Sequence, residues 1–367
     1  MTRRQLLASA FALAGCGRRK GSGFPGYAFV ANEQGRAVAA VDLTAFALAR
    51  HIRLPDEPTA VLASPYRPFV YALTPASGEL HEIDVRALKV SRRARVAHTT
   101  VSMRLDPAAE NIWVGCSHPR QLVRVPLDSL KPAAGIPLPA EPAGFDLSRD
   151  GRWAASVFGD AGSMAILDLI TGSRRIVAQG RTLGGVLFRS DSRMILAGDI
   201  ASRSILIADV ATGRTVVNLP IAVRPDNMCM KADGGQLFIT GEGMDAVVFV
   251  YPYNTEVAET ILAGRSPGAM AEGVASGFLL VANSASSEVS IVDIETRRVI
   301  AVAQVGREPG CIGITPDQQY ALVLNRASGD IAVIRLAAVA ARRNKYAPLF
   351  TMIPVGSAPV GLAIRRV

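Results

Sequence analysis

Residues Phe278–Gln318 read FLLVANSASSEVSIVDIETRRVIAVAQVGREPGCIGITPDQ. Four short apolar runs stand out: Phe278–Ala282, Val289–Asp293, Val299–Val305 and Cys311–Thr315. Asn-Ser-Ala-Ser-Ser, Glu-Thr-Arg and Gly-Arg-Glu-Pro-Gly separate them. Runs of this length, rich in Val and Ile and bounded by Gly, Pro, Asn and Ser, form strands. None is long enough for a typical helix, and the turns recur too often for a parallel α/β fold. The stretch therefore predicts a four-stranded antiparallel meander.

The unit recurs along the chain. A marker at the end of the second of these runs appears as AVDL at Asp42, EIDV at Asp84, RVPL at Pro126, ILDL at Asp168, IADV at Asp209, VYPY at Pro252, IVDI at Asp293 and VIRL at Arg335. Successive markers are 41 to 43 residues apart. A period of about 40–45 residues built of short strands is the signature of a β-propeller, an all-β ring of blades that each bury their faces against their neighbours. The run after Pro-x-Gly is rich in small residues, as the crowded centre requires, and is read as the innermost strand. Such strands begin near Thr59, Thr99, Ala143, Leu183, Asp226, Gly268, Gly310 and Val360. The last lies at the C-terminus, whereas residues 27–54 supply three strands without an inner one. The expectation is eight blades, with the C-terminal strand completing the first and closing the ring. Seven blades is the alternative if one terminal unit is degenerate.

The motifs FVAN (Phe29–Asn32), LVANSASSEVSIVDIETRRVIAVAQVGREPG (Leu280–Gly310) and IPVGSAPVGLAI (Ile353–Ile364) resemble the repeat of the YVTN β-propellers of bacterial and archaeal surfaces. The resemblance covers essentially all of residues 27–367. It implies architecture more than chemistry, because propellers bind, scaffold or catalyse. The broader group includes lactonases, the heavy subunits of amine dehydrogenases and the eight-bladed haem domain of dissimilatory nitrite reductase.

Residues 1–16, MTRRQLLASAFALAGC, place a basic start before a short apolar stretch and small residues. This reads as a secretory signal, too short to span a bilayer. Leu13-Ala14-Gly15-Cys16 resembles the bacterial lipobox, which implies cleavage after residue 15 and acylation of Cys16. Arg3-Arg4 also resembles a twin-arginine export signal. Residues 16–26, with Arg18, Arg19 and Lys20, read as a flexible basic tether. The expected location is the cell envelope, exported and held to the membrane by lipid.

The formal charge is +9, and about +7 remains without Arg3 and Arg4. A basic surface suits an anionic bilayer. Nucleic acid is not an expected partner, since export removes the chain from it and no basic motif interleaved with aromatics occurs. Cys116, Cys229 and Cys311 fall in three non-adjacent blades, so they read as small hydrophobes rather than disulfides. His51, His81, His98 and His118 are scattered in sequence, and no metal or cofactor is expected from their spacing. The recurring Asp42, Asp84, Asp168, Asp209 and Asp293 precede turns and read as turn caps.

Propeller ligands meet one end of the axis. Two sets of turns converge there, those leading into the inner strands and those after the second strands. Arg181, Arg224, Arg265 and Arg307 occupy equivalent places in consecutive blades, at intervals of 43, 41 and 42 residues. Such an arc attracts carboxylate or phosphate groups. Asp226 and Glu308 lie beside it and are alternative partners for the arginines; Asp199, Glu242, Asn283 and Asn325 join the same rim. The expected function is a non-catalytic binding or scaffold protein, expected as a monomer, with an envelope protein or a small anionic ligand as partner. The alternatives are a propeller enzyme or cofactor carrier of the related kinds, and anion sensing through the arc. No catalytic residues are assigned, and the enzyme question leans to no.

Overall fold

The computed structural model describes residues 23–178, 180–340 and 348–367. The leader, Cys16 and most of the tether lie outside the described residues. The rest is a ring of eight four-stranded antiparallel blades. Blade 1 combines Gly26–Asn32, Ala37–Asp42 and Ala47–Arg53 with an inner strand from the C-terminus, Pro359–Arg366. Tyr27 pairs with Arg365 and Val30 with Leu362, so first and last strands close the circle. The other inner strands begin at Ala60, Thr99, Gly144, Leu183, Asn227, Pro267 and Pro309. Each lies within one residue of its expected start. A helix of five residues, Leu336–Ala340, follows the third strand of blade 8. No helix among the described residues is long and apolar enough to cross a membrane.

Packing follows the same eightfold logic. Among the described residues there are eight apolar clusters, one at each blade junction. Phe238 and Phe249 of blade 6 meet Leu279 and Val281 of blade 7; Ala28 and Val41 of blade 1 meet Tyr320 and Leu322 of blade 8. Both faces of the second and third strands are therefore buried, which explains why their sequences run apolar without alternation. Phe24 packs into the junction of blades 8 and 1, so the propeller starts a few residues earlier than the sequence suggested.

The Asp markers do cap turns. Asp42 Oδ1 accepts the N–H groups of Thr44 and Ala45, Asp84 Oδ1 those of Arg86 and Ala87, and Asp168 Oδ1 those of Ile170 and Thr171. The backbone N–H of Thr171, the largest influence, holds the Asp168 carboxyl below its usual range. In blade 6 the equivalent position is Tyr251, not Pro252. Tyr251 ends the third strand, and Thr255 four residues on has φ 57°, matching Asp293 and Arg297 with φ 53°. The repeat is thus even more regular than the spacing of the markers implied.

Cys116, Cys229 and Cys311 are free. Cys116 is buried and the other two half-buried. Burial pushes their thiols up to about 12, about 11 and about 11, which leaves them unreactive at neutral pH.

Candidate functional site

The loop from each outer strand to the next inner strand, and the turn after each second strand, emerge on one face of the ring. Three of these loops share a Gly-x-x-Pro pattern: Gly264–Pro267, Gly306–Pro309 and Gly356–Pro359. Ser266, Glu308 and Ala358, just before the prolines, take φ of 54°, 54° and 51°, so the loops have a common backbone path. Each glycine sits on the asparagine that ends the next blade's second strand. A Cβ at Gly264 would come within 2.3 Å of Asn283 Nδ2, one at Gly306 within 2.7 Å of Asn325 Nδ2, and one at Gly356 within 2.8 Å of Asn32 Nδ2. The Asn and the Gly of the repeat motif are therefore contact partners, and only glycine fits over the amide.

This contact removes two expected rim residues from the surface. Asn283 and Asn325 are fully buried, as is Asn32. Their amides donate inward, to Ser290 Oγ at 2.8 Å, Asp330 Oδ1 at 2.6 Å and the Val355 carbonyl at 2.6 Å. Asp199, at the matching place in blade 5, is also buried and accepts the N–H groups of Arg181 at 2.9 Å and of Thr182 and Ser202 at 3.2 Å. Burial pushes the Asp199 carboxyl up, but these N–H groups outweigh it and hold the acid below its ordinary value. All four residues anchor loops and do not meet solvent.

The residue after the glycine is the first whose side chain clears the rim. In three loops it is arginine: Arg181 after Gly180, Arg265 after Gly264 and Arg307 after Gly306. All three are exposed and form no ion pair among the described residues. The Arg307 guanidinium donates to the Ala327 carbonyl at 3.4 Å, its backbone N–H donates to Ser328 Oγ at 3.0 Å, and among the described residues Glu308 does not pair with it. Arg224 differs. Its Nε donates to Asp226 at 2.8 and 3.0 Å, and its Nη1 lies 2.6 Å from Glu242. The Asp226 carboxylate, the largest influence, raises the guanidinium above its ordinary value. The fourth arginine of the arc is thus tied up by two carboxylates, Asp226 and Glu242, and this cluster is net negative. Two grooves lie along this arc. One of about 650 Å³ between blades 6 and 7 is lined by Glu242, Met244, Asp245 and Ser266. One of about 580 Å³ between blades 8 and 1 is lined by Gln34, Glu308, Arg326 and Ser357.

The other half of the mouth carries Asp56, Glu57, His98 and Glu141 in the corresponding loops. Here the fold does what the scattered histidines did not suggest. His98, in the loop between blades 2 and 3, and His118, ending the second strand of blade 3, stand with ring centroids 6.1 Å apart and planes at 80°. The His98 N–H donates to the His118 carbonyl at 2.9 Å. Both rings are exposed. The remaining histidines are occupied. Burial, the largest influence, holds the His81 imidazole below its usual value, and the ring contacts Thr74 Oγ1 at 3.1 Å; His51 Nε2 contacts the Val355 carbonyl at 2.7 Å. No three of the His, Cys, Asp and Glu residues among those described form a metal-holding group.

No protein-family model and no curated protein matches this sequence. Solved structures do. The dihydro-heme d1 dehydrogenase NirN in complex with DHE superposes with a TM-score of 0.74 at 16% identity, over 92% of this chain and 75% of that one. Kuenenia stuttgartiensis hydrazine synthase superposes with a TM-score of 0.58 at 16% identity, over 87% and 98%. At such identity the likeness extends to the eight-bladed propeller fold and no further.

Proposed function

We propose that this chain is a lipid-anchored envelope propeller that acts by binding rather than by catalysis, with an anionic ligand or partner held at the arginine side of its mouth. One observation carries the reading: Arg181, Arg265 and Arg307 project from equivalent loops without acidic partners, while their neighbour Arg224 is tied to Asp226 and Glu242. Unpaired guanidinium groups at a shared rim favour a carboxylate or phosphate, which each binds through paired N–H donors. The lipobox-like Leu13–Cys16 supports the anchored, envelope location.

The test is capture from envelope membranes, with small-molecule analysis of what co-purifies. Reversing Arg265 and Arg307 to glutamate is expected to reduce capture at least about tenfold, since each charged hydrogen bond contributes on the order of 1.5–3 kcal/mol. Unchanged capture, with the far-ultraviolet circular dichroism intact, would remove the arc from consideration.

A second reading is favoured by the histidine pair on the same mouth. A tetrapyrrole, of which the DHE complex is an instance in a protein of like fold, would be held by a donor atom to its metal and by cations to its carboxylates. His98 or His118 would serve as the nitrogen donor, and Arg181, Arg265 and Arg307 would hold the carboxylates. Such a group, when bound, supplies redox chemistry that these side chains lack. Titration with haem is expected to give a Soret shift that His98→Ala and His118→Ala weaken. No shift in the wild-type chain would leave the first reading alone.

A further inference from the structure

The outermost strand of each blade has one edge without a partner strand, and proteins usually guard such edges with charge. Blade 2 does so with Lys89, Arg93 and Arg95, all exposed. Other outer strands carry exposed apolar side chains: Ile176, Val216 and Leu262 in blades 4 to 6, Ile300 (42% exposed) and Val302 (45%) in blade 7, Phe350 (43%) and Met352 (41%) in blade 8, and Leu48 (38%), beside Arg50 and Arg53, in blade 1. Blades 7, 8 and 1 are consecutive, so their residues form one stretch of an apolar arc on the circumference, and it is the position of the chain's amino-terminal end that distinguishes this stretch from the rest.

The amino-terminal end of the described chain lies on the same arc. Phe24 is buried in the junction of blades 8 and 1, and Phe46 packs with it. The Phe46 ring is 4.9 Å from the Phe350 ring. Cationic groups flank the arc. The Arg335 guanidinium lies 4.3 Å from the Phe350 ring centroid, and Arg298 and Arg50 are exposed on either side. Cys16 precedes Gly23 by seven residues, a reach of at most about 25 Å when fully extended. Arg18, Arg19 and Lys20 fall within that span.

We infer that the outer edges of blades 7, 8 and 1 lie against an anionic phospholipid bilayer. Apolar side chains enter the interface, and the arginines meet lipid phosphates. The inference rests on the anchor reading above and extends it: a short tether fixed beside an apolar arc holds that arc, not an arbitrary side of the ring, toward the membrane. The ring then sits edge-on. Its mouth opens along the membrane plane, clear of the bilayer and accessible to a ligand.

The test uses the full-length lipidated chain in phosphatidylcholine and phosphatidylglycerol vesicles with brominated acyl chains. Phe350→Trp places a reporter in the arc, and Val216→Trp places one on blade 5, across the ring; the unsubstituted chain corrects for Trp113 and Trp153. The Phe350→Trp reporter is expected to lose about half its emission or more, as for an interfacially seated ring, and the Val216→Trp reporter to lose little. Equal quenching, or none, overturns the inference while leaving the anchor intact. Intact mass at Cys16 tests the anchor separately. If no acyl chain is present, the anchor reading falls, and the same quenching with unacylated chain on anionic vesicles decides the arc: selective quenching keeps it and none ends it. A dimer broken by Ile300→Asp, without quenching, would assign the arc to a second copy and also overturn the inference.

Discussion

Deleting Pro359–Arg366 is expected to abolish the folded ring, not merely to loosen one blade. That strand pairs with Gly26–Asn32 along its whole length. Ala363 is buried in the junction of blades 1 and 2, where Val360 also packs; Leu362 and Ile364 pack into the junction of blades 8 and 1. Removal therefore opens two apolar junctions and leaves a hydrogen-bonding edge unpaired on the strand beside it. Fully burying a large aliphatic side chain contributes on the order of 1.5–3 kcal/mol; the partly buried Val360, Leu362 and Ile364, together with the lost strand pairing, take much of the margin of about 5–15 kcal/mol typical of a folded domain. A chain ending at Ala358 should show no cooperative thermal transition in near-ultraviolet circular dichroism. A control lacking only Val367, which is exposed, should melt like the full chain. Leu362→Asp is the finer variant, placing a charge among Tyr320, Leu322 and Leu324. A cooperative transition in the truncated chain would mean that the ring holds without its closing strand.

The blade count and the closure were legible because they depend on quantities a sequence carries directly: the spacing of turns and the smallness of inner-strand residues. The mouth was legible only as far as loop position. Arg181, Arg265 and Arg307 project because they follow a glycine seated on a buried side chain, and a repeat motif shows that they recur but not what their neighbours do. Asn283, Asn325 and Asp199 lie just as near the mouth in sequence, yet the folded loops cover them. Direction, not position, separates the two groups, and direction is set by the glycine before each arginine, seated on Leu183 and Asp199 at Gly180 and on asparagine in the Gly-x-x-Pro loops. The pairing of His98 with His118 was not legible for a related reason. They lie twenty residues apart, and the antiparallel pairing of the first two strands of blade 3, which sets Thr99 opposite His118, brings them together. Of the acid–arginine alternatives on the rim, only Asp226 and Glu242 with Arg224 are realised, because the Asp226 carboxylate also accepts the Glu242 N–H and so holds both groups in place.

Replacing Glu82 is expected to have the second largest effect, at a position with no part in the mouth. Glu82 is 1% exposed on the third strand of blade 2. Its carboxylate accepts Arg92 Nε at 2.8 Å and Nη2 at 2.5 Å, Ser91 Oγ at 2.7 Å and the Tyr71 hydroxyl at 3.2 Å. Arg92 continues to the carbonyls of Leu127 at 2.9 Å and Asp128 at 2.7 Å, so the network clamps blade 2 to blade 3. Glu82→Ala leaves the buried Tyr71 hydroxyl and half of the Arg92 fork unpaired. Breaking a buried pair this way costs about 3–5 kcal/mol; the lower end applies because Arg92 is 38% exposed and regains water. The melting temperature should fall by about 4 °C for a domain of this size. Burial pushes the Glu82 carboxyl up, but Arg92, Ser91 and Tyr71 outweigh it and hold it below the ordinary value. A depressed folded value means the stabilisation is complete above the unfolded value of about 4.3 and is lost as pH falls through the folded one. The melting-temperature gap between wild type and Glu82→Gln should therefore be widest near neutral pH and close below about pH 4. A gap that stays constant from neutral to acid pH would show that the carboxylate charge does not hold the two blades together.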